Sequence, residues 1–493
     1  MGGATDDLIG AVIAVGGFAI HLAAVLRAIT RPNRTPASRV AWVAAIMCLP
    51  VIGVIAYLFL GETSIGRDRA SRLADAEDRL AKPTGAAAEP GDPVAAGVSD
   101  LCRAINGFGP TRGNRITLLG DPDAEPSEPT RDCDAAIGQL IEAIDAAAEN
   151  IHLSFYIWLD DGNGGRVADA ISAAARRGVT CRVMADALGS RDFIRGPRWR
   201  QLREAGVHLK AALQDIPRLG RFPVRRIDLR NHRKLVVIDN LVAFVGSQNC
   251  ADPQFLIKEK YAPWIDILLR CEGPVVRQAQ HLFLAAWIAE TGEEGLYELP
   301  AAAPEPEQHP QGAIAQMFGT GPITPGNTMS DAFVSALYAA ERELIISTPY
   351  FVPDEALFRA VCAAPRRGVS TTLIVPRLND SGLVGAASRS TYPDLLACGV
   401  RLFEYRLGLL HTKSITVDGR IALVGSANMD RRSLDLNFEN NLLIVDSGLT
   451  TIIRERQLGY LSRSTAVESA AVKAWPFRTR LVRDAIGMAS PLL

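Results

Sequence analysis

The stretch "NHRKLVVIDN", residues 231–240, decides how the chain is read, because "LHTKSITVDG" at 410–419 repeats its spacing. In each, a lysine lies two places past a histidine and an aspartate five beyond that: His232, Lys234 and Asp239, then His411, Lys413 and Asp418. Fourteen residues past each histidine begins "GSQN" (Gly246 to Asn249) or "GSAN" (Gly425 to Asn428). One His-x-Lys alone reads as a strand with a stray polar end. Two copies with every offset equal call for a shared chemical role.

Side chains two apart share one face of a strand, so each histidine points the same way as its lysine. Asp239-Asn240 and Asp418-Gly419 read as two-residue hairpin turns. The returning strands "LVAFVG" and "IALVG" then bring Ser247 and Asn249, or Ser426 and Asn428, back beside the histidine and lysine. The aspartates fall at the far end of each hairpin, where holding the turn is their expected role and direct chemistry the alternative. Each half therefore offers an imidazole, an ammonium, a hydroxyl and a carboxamide. Lysine, asparagine and serine suit the non-bridging oxygens of a phosphate. A histidine can attack phosphorus or move a proton near neutral pH. Two such patches facing each other make one two-histidine phosphodiester site, with the lysines supplying the charge and no metal expected.

Working outward, the halves share an order of elements. "AAIGQLIEAIDAAA" (helix), "NIHLSFYIWL" (strand), "GRVADAISAAARRG" (helix) and "VTCRVMAD" (strand) match "SDAFVSALYAAERE", "LIISTPYFV", "EALFRAVCAAPRRG" and "VSTTLIVP". This alternation predicts βαβ units on a largely parallel sheet, present twice. "PAAAPEPEQHPQG" at 300–312 divides the copies, and "PTGAAAEPGDPVAAG" at 83–97 reads as a second linker. The expected organisation is a membrane unit at 1–62, a connecting segment at 63–108, domains at 109–300 and 313–493, and a linker at 301–312.

The first 62 residues differ in kind. Leu8 to Leu26 is apolar apart from His21, and Val40 to Leu60 carries no charge, runs of 19 and 21 residues. Both match the roughly 20 residues that cross a bilayer core, and no basic region precedes the first as a signal peptide would require. A two-span hairpin over about 8–26 and 40–60 is the reading. Arg27, Arg31, Arg34 and Arg39 lie between the runs with no acid. The positive-inside rule then puts that loop in the cytoplasm and the catalytic part outside. Arg67, Arg69, Arg72 and Arg79 pull the other way.

Lys plus Arg (53) balances Asp plus Glu (54), which speaks against a nucleic-acid-binding surface. The eight cysteines form no Cys-x-x-Cys pair and suit neither a zinc site nor a disulfide framework, so they read as small core residues.

The duplicated His-x-Lys-x4-Asp with Gly-Ser-x-Asn downstream resembles the phospholipase D superfamily. Within it, the apolar N-terminus, "YIWLDDGNGG" (156–165), "STPYFVPD" (347–354), "GSANMDRRSLDLNFE" (425–439) and the closing "SPLL" are similar to bacterial cardiolipin synthases. The resemblance covers the chain apart from its linkers. It implies two tandem phospholipase D-like α/β/α domains related by a pseudo-two-fold, with the whole duplicated motif, both aspartates included, as the catalytic set. It further implies a phosphohistidine on His232, His411 as general acid and base, no cofactor, and phosphatidylglycerol as donor and acceptor with release of glycerol. By position, Asp266 and Glu439, each downstream of its own half's Gly-Ser-x-Asn, would orient the histidines. A hydrolase, or a transferase using another alcohol, shares every one of these motifs. A nuclease or a dead scaffold fits the charge balance and the two intact motifs poorly.

Overall fold

A computed structural model of the chain describes residues 2–31, 35–62, 65–83, 88–120, 129–214, 226, 228–298, 307–324 and 326–488. The closing "SPLL" and most of the 300–312 linker lie outside these residues.

Fifteen strands form one sheet. The first half contributes β1 (Thr111–Leu118), β2 (Asn150–Phe155), β3 (Thr180–Asp186), β4 (His208–Ala212), β5 (Leu235–Ile238), β6 (Val242–Gly246) and β7 (Leu268–Glu272). The second contributes β8 (Ala313–Thr320), β9 (Glu343–Ser347), β10 (Ser370–Pro376), β11 (Arg401–Tyr405), β12 (Ser414–Val417), β13 (Ile421–Gly425), β14 (Glu439–Val445) and β15 (Ser464–Ala466). Their order is β15-β11-β10-β9-β12-β13-β14-β8-β1-β7-β6-β5-β2-β3-β4. Outward from the β8–β1 seam the same seven strands recur on each side, so the duplication is a pseudo-two-fold about that seam. Pairing across it is antiparallel, Thr111 opposite Ala315 and Asn114 opposite Ala313.

Local chemistry explains the repeats. Helices Gly162–Arg176 and Glu355–Arg366 are capped by Asp161 and Asp354, whose carboxylates accept from the N–H of Gly164 and Leu357. Both end on Arg-Arg-Gly with Gly178 and Gly368 at positive φ, then enter strands parallel to β2 and β9. Strands β2 and β5 are buried on both faces; β5 is an unbroken apolar run, while β2 also buries Asn150, His152 and Ser154. One hydrophobic core runs through both halves, joining Leu235 and Val245 to Met317, Ala422 and Leu442 beneath helix Val275–Thr291. Six of the eight cysteines are buried.

Two expectations change. The linker read at 83–97 is helical from Pro93, because Asp92 caps helix Pro93–Asn106 by accepting from Val94 N–H. Ala95, Val98 and Cys102 of that helix are buried against the second half. The second span expected over 40–60 is not one helix. The chain runs as α1 (Gly2–Thr30), α2 (Pro36–Cys48), α3 (Pro50–Ala56) and a wider turn at Tyr57–Gly61. Among the described residues only Ile9–Thr30, 22 residues, is long and apolar enough to cross a membrane. Proline explains the break: the ring at Pro50 clashes with a helical neighbour, and Leu49 leaves the helical region at φ −129°, ψ 73°.

Candidate active site

Strand β5 begins one residue after Lys234, and β12 one after Lys413, so the motifs occupy the strand mouths on either side of the pseudo-two-fold. The backbone before each histidine pairs with the opposite half. His232 N–H donates to Phe438 C=O at 2.9 Å and Phe438 N–H to Arg230 C=O at 3.0 Å. His411 N–H donates to Ile265 C=O at 2.8 Å and Leu409 N–H to Pro263 C=O at 2.9 Å. Each histidine is thereby set beside a carboxylate that the other half carries.

The side chains follow. His232 Nδ1 lies 2.9 Å from Glu439 Oε2, and His411 Nδ1 lies 2.7 Å from Asp266 Oδ1. The expected pairing of each histidine with the carboxylate of its own half is therefore corrected: the pairs are crossed. Main-chain register dictates this, since Glu439 is one residue past Phe438 and Asp266 one past Ile265. A carboxylate on Nδ1 fixes the tautomer with the proton there and frees Nε2 as a lone pair.

Burial pushes both imidazoles down to about 4, with the carboxylates opposing it, so both are neutral near pH 7. Burial raises the Glu439 carboxyl, but His232, Lys234 and Ser426 outweigh it and bring it to about 2. Asp266 is likewise lowered, with His411, Lys413 and Ser247 winning over burial. Burial, then the charge of Lys413, lowers Lys234 to about 7. Burial lowers Lys413 to about 8 against the pull of Asp266 and Glu439. The ammonium groups donate to the carbonyls of His232 (2.8 Å) and His411 (2.5 Å). The carboxylates of Glu439 and Asp266 balance the two lysines, so the donors that face an incoming phosphate are the lysine ammonium groups, while the carboxylates are engaged by the histidines and serines.

Several sequence assignments move. Ser247 Oγ donates to Asp266 Oδ1 at 2.5 Å and accepts from Ile267 N–H at 3.1 Å. Ser426 Oγ donates to Glu439 and accepts from Asn440 N–H at 2.9 Å. A hydroxyl has one proton, and both are committed to carboxylates, so neither serine is the phosphate donor expected of it. Asn249 Oδ1 accepts from Ile157 N–H at 3.2 Å while its Nδ2 is buried and unpartnered, a spare donor. Asn428 is buried with an unpartnered Oδ1.

Asp239 and Asp418 do not join the site. Asp239 accepts from the N–H groups of Ala148, Glu149 and Asn150, each at 2.8 Å. Asp418 does the same for Glu341, Arg342 and Glu343 at 2.8–2.9 Å. Both adopt φ 52°, followed by Asn240 (55°) and Gly419 (67°), the left-handed pair a tight hairpin needs. The catalytic place that the motif gave them is corrected to a structural one: they tie the turn to the start of β2 or β9.

Other contributors lacked a positional signal. The Tyr156 ring packs 4.9 Å from that of His232, and Trp264 packs 4.6 Å from His411. Asn440 Oδ1 accepts from Lys234 N–H at 3.2 Å. Asp380 bonds Lys258 Nζ and Tyr350 Oη, each at 2.5 Å, and so ties a first-half loop to a second-half one near Lys413. Among the described residues no group of three or more His, Cys, Asp or Glu could hold a metal ion.

The seam and the crossed pairs together define a class: duplicated α/β chains that build one histidine–lysine centre across an internal two-fold. Comparison with known proteins narrows it. The model for the cardiolipin synthase, phospholipase D-like domain matches residues 140–281 and 333–457, and a phospholipase D–nuclease N-terminal model matches 19–62. Cardiolipin synthase A of Klebsiella pneumoniae (strain 342) is 38% identical over 485 residues, 97% of each chain. That of Edwardsiella ictaluri (strain 93-146) is 37% identical over 493 residues, 98% of each chain. The crystal structure of phosphatidylserine synthase from Haemophilus influenzae Rd KW20 has the same fold, with TM-score 0.58 at 14% identity, covering 80% of this chain and 100% of that one. The chain belongs to the cardiolipin synthase family of phospholipase D-like proteins.

Proposed function

We propose that the protein is a membrane-bound cardiolipin synthase that transfers a phosphatidyl group from one phosphatidylglycerol to a second and releases glycerol. The observation that carries this is the crossed arrangement, in which two neutral histidines, each held at Nδ1 by a buried carboxylate of the other half, flank two buried lysines.

His232 Nε2 attacks phosphorus, and the P–O bond to glycerol breaks as His411 gives a proton to the departing oxygen. His411, neutral in the free site, takes that proton from solvent as the diester's negative charge enters, and the second step returns a proton to it. The positive charge that develops on the His232 ring is stabilised by Glu439. Lys234, Lys413 and the amides of Asn249 and Asn428 meet the non-bridging oxygens. In the second step neutral His411 takes the proton of a glycerol hydroxyl on the second phosphatidylglycerol. That oxygen attacks phosphorus, the P–N bond to His232 breaks, and cardiolipin leaves. Asp266 steadies His411 through both proton transfers.

Purified protein in phosphatidylglycerol vesicles, with and without a chelator, tests the reading. Cardiolipin and free glycerol in equal amounts, absent from His232→Ala and His411→Ala, would support it. Phosphatidic acid in place of cardiolipin would make the protein a hydrolase, and cardiolipin from either variant would sink the paired-histidine mechanism.

A further inference from the structure

Hydropathy reads the N-terminal 62 residues as two crossings, but the second apolar run folds back on itself. Trp42 of α2 and Tyr57, fifteen positions later, meet edge to face with ring centroids 5.4 Å apart. A straight helix would separate them by roughly 22 Å at 1.5 Å per residue. The chain therefore doubles back at Leu49-Pro50. Gly53 allows it, since a Cβ there would stand 2.3 Å from the Ala45 carbonyl oxygen, so only glycine lets α3 press against α2. The return ends where α2 began: Glu62 pairs with Arg27 at 2.7 Å and with Arg31 at 2.8 Å, both at the C-terminal end of α1.

Neither arm reaches across a bilayer. The 13 residues of α2 extend about 20 Å, against a hydrocarbon core of about 30 Å. Yet the turn is apolar and exposed: Met47, Leu49, Val51, Ile52 and Ile55 all face outward. A solvent-exposed tip of this composition fits a lipid interior, and the largely apolar, almost wholly exposed stretch of 22 residues from Ile9 to Thr30 in α1 supplies a full crossing beside it.

We infer that the chain crosses the membrane once, through α1, and that α2 and α3 form a re-entrant hairpin that returns the chain to the side it entered from. The second run thus dips into the bilayer and comes back. The flanking arginines then fall on one side: Arg27, Arg31 and Arg39 before and within the entry, and Arg67, Arg69, Arg72 and Arg79 after the exit. With two spans these clusters oppose each other across the membrane; with one they act together. The positive-inside rule consequently places both α/β halves in the cytoplasm, with the start of α1 on the outer face, which reverses the orientation drawn from hydropathy alone. This inference does not depend on the reaction the halves catalyse.

The test uses the full chain in a bacterial inner membrane. An epitope tag precedes Met1, and either green fluorescent protein or alkaline phosphatase follows Leu493. The expected result is a fluorescent but phosphatase-inactive C-terminus, with the N-terminal tag digested by protease added to intact spheroplasts. Tag and C-terminus on the same side would overturn the re-entrant turn. Opposite sides with an active phosphatase fusion would overturn the orientation. As a second arm, Pro50→Leu combined with Gly53→Leu removes both causes of the reversal and should move a measurable fraction of the C-terminus outside; no movement at all would overturn the role given to these two residues.

Discussion

The crossed pairing makes a sharp demand on Glu439. It lies in the second half, yet it should govern the chemistry of His232 in the first. Glu439→Gln removes the charge and little else: Oε1 of glutamine can still accept from His232 Nδ1–H and Ser426 Oγ–H, and the Asn437 amide, whose Oδ1 is unpartnered, can turn to meet the new amine. The cost can be sized from the carboxyl itself. Surroundings that draw it from 4.5 to about 2 favour its charge by about 3 kcal/mol. The dominant favourable partner is His232, and the ring becomes more positive on attack, so losing the charge should slow phosphohistidine formation by roughly 10²–10³-fold. The assay is a rapid quench with glycerol-labelled phosphatidylglycerol, which reads the burst of free glycerol before cardiolipin appears. Downfield proton spectra of the two Nδ1–H groups assign the effect: Glu439→Gln should displace the His232 resonance alone, and Asp266→Asn that of His411 alone. A burst within tenfold of wild type, or a Glu439→Gln spectrum in which only the His411 signal moves, would refute the reasoning.

Other outcomes follow from the same geometry. Asp239→Ala strands three N–H groups and should lower stability by about 2–4 kcal/mol, read in a thermal melt, while the specific activity of the folded fraction stays within about twofold. Ser247→Ala should lower kcat roughly 3- to 30-fold through the loosened Asp266 and leave KM unchanged; a raised KM with normal kcat would restore the serine to phosphate binding. The lysines set a pH limit. Folding lowers Lys234 to about 7 and Lys413 to about 8, so each loses charge as pH rises through those values. Phosphate binding should weaken accordingly, with KM for phosphatidylglycerol climbing above about pH 7–8 and kcat/KM falling; a flat KM to high pH would contradict it. For stability the sign is the opposite: these lysines burden the fold while charged, and the burden lifts as pH rises from the folded values toward 10.5, where the unfolded chain also deprotonates.

What could be read from sequence was what repeats. Equal offsets from His232 and His411 located the histidines, lysines, asparagines and hairpin turns, because those positions depend only on strand period and turn length. Periodicity also put Asp239 and Asp418 at the far end of the strand, and the motif's reputation alone argued otherwise. What escaped was whatever depends on contact between distant segments. Offsets along one chain do not tell which carboxylate meets which histidine, since Phe438 and Ile265 pair with strands some two hundred and one hundred and fifty residues away. The carboxylate contacts of Ser247 and Ser426 were not legible either, because a hydroxyl's partner is a matter of which acceptor lies nearest. The break in the 40–60 run is not legible in hydropathy, which averages over Pro50, whose effect is stereochemical.

The β8–β1 seam bears on what a domain means in this protein. A family model reads two units, yet the hydrogen-bonded ladder passes from one into the other without interruption and the hydrophobic core does too. Cutting the peptide between residues 299 and 306 would sever the chain but not the sheet. The halves are two stretches of covalent sequence that share one sheet and one core, so a gene split at that point should yield nothing active from either fragment alone and a working enzyme from the two together.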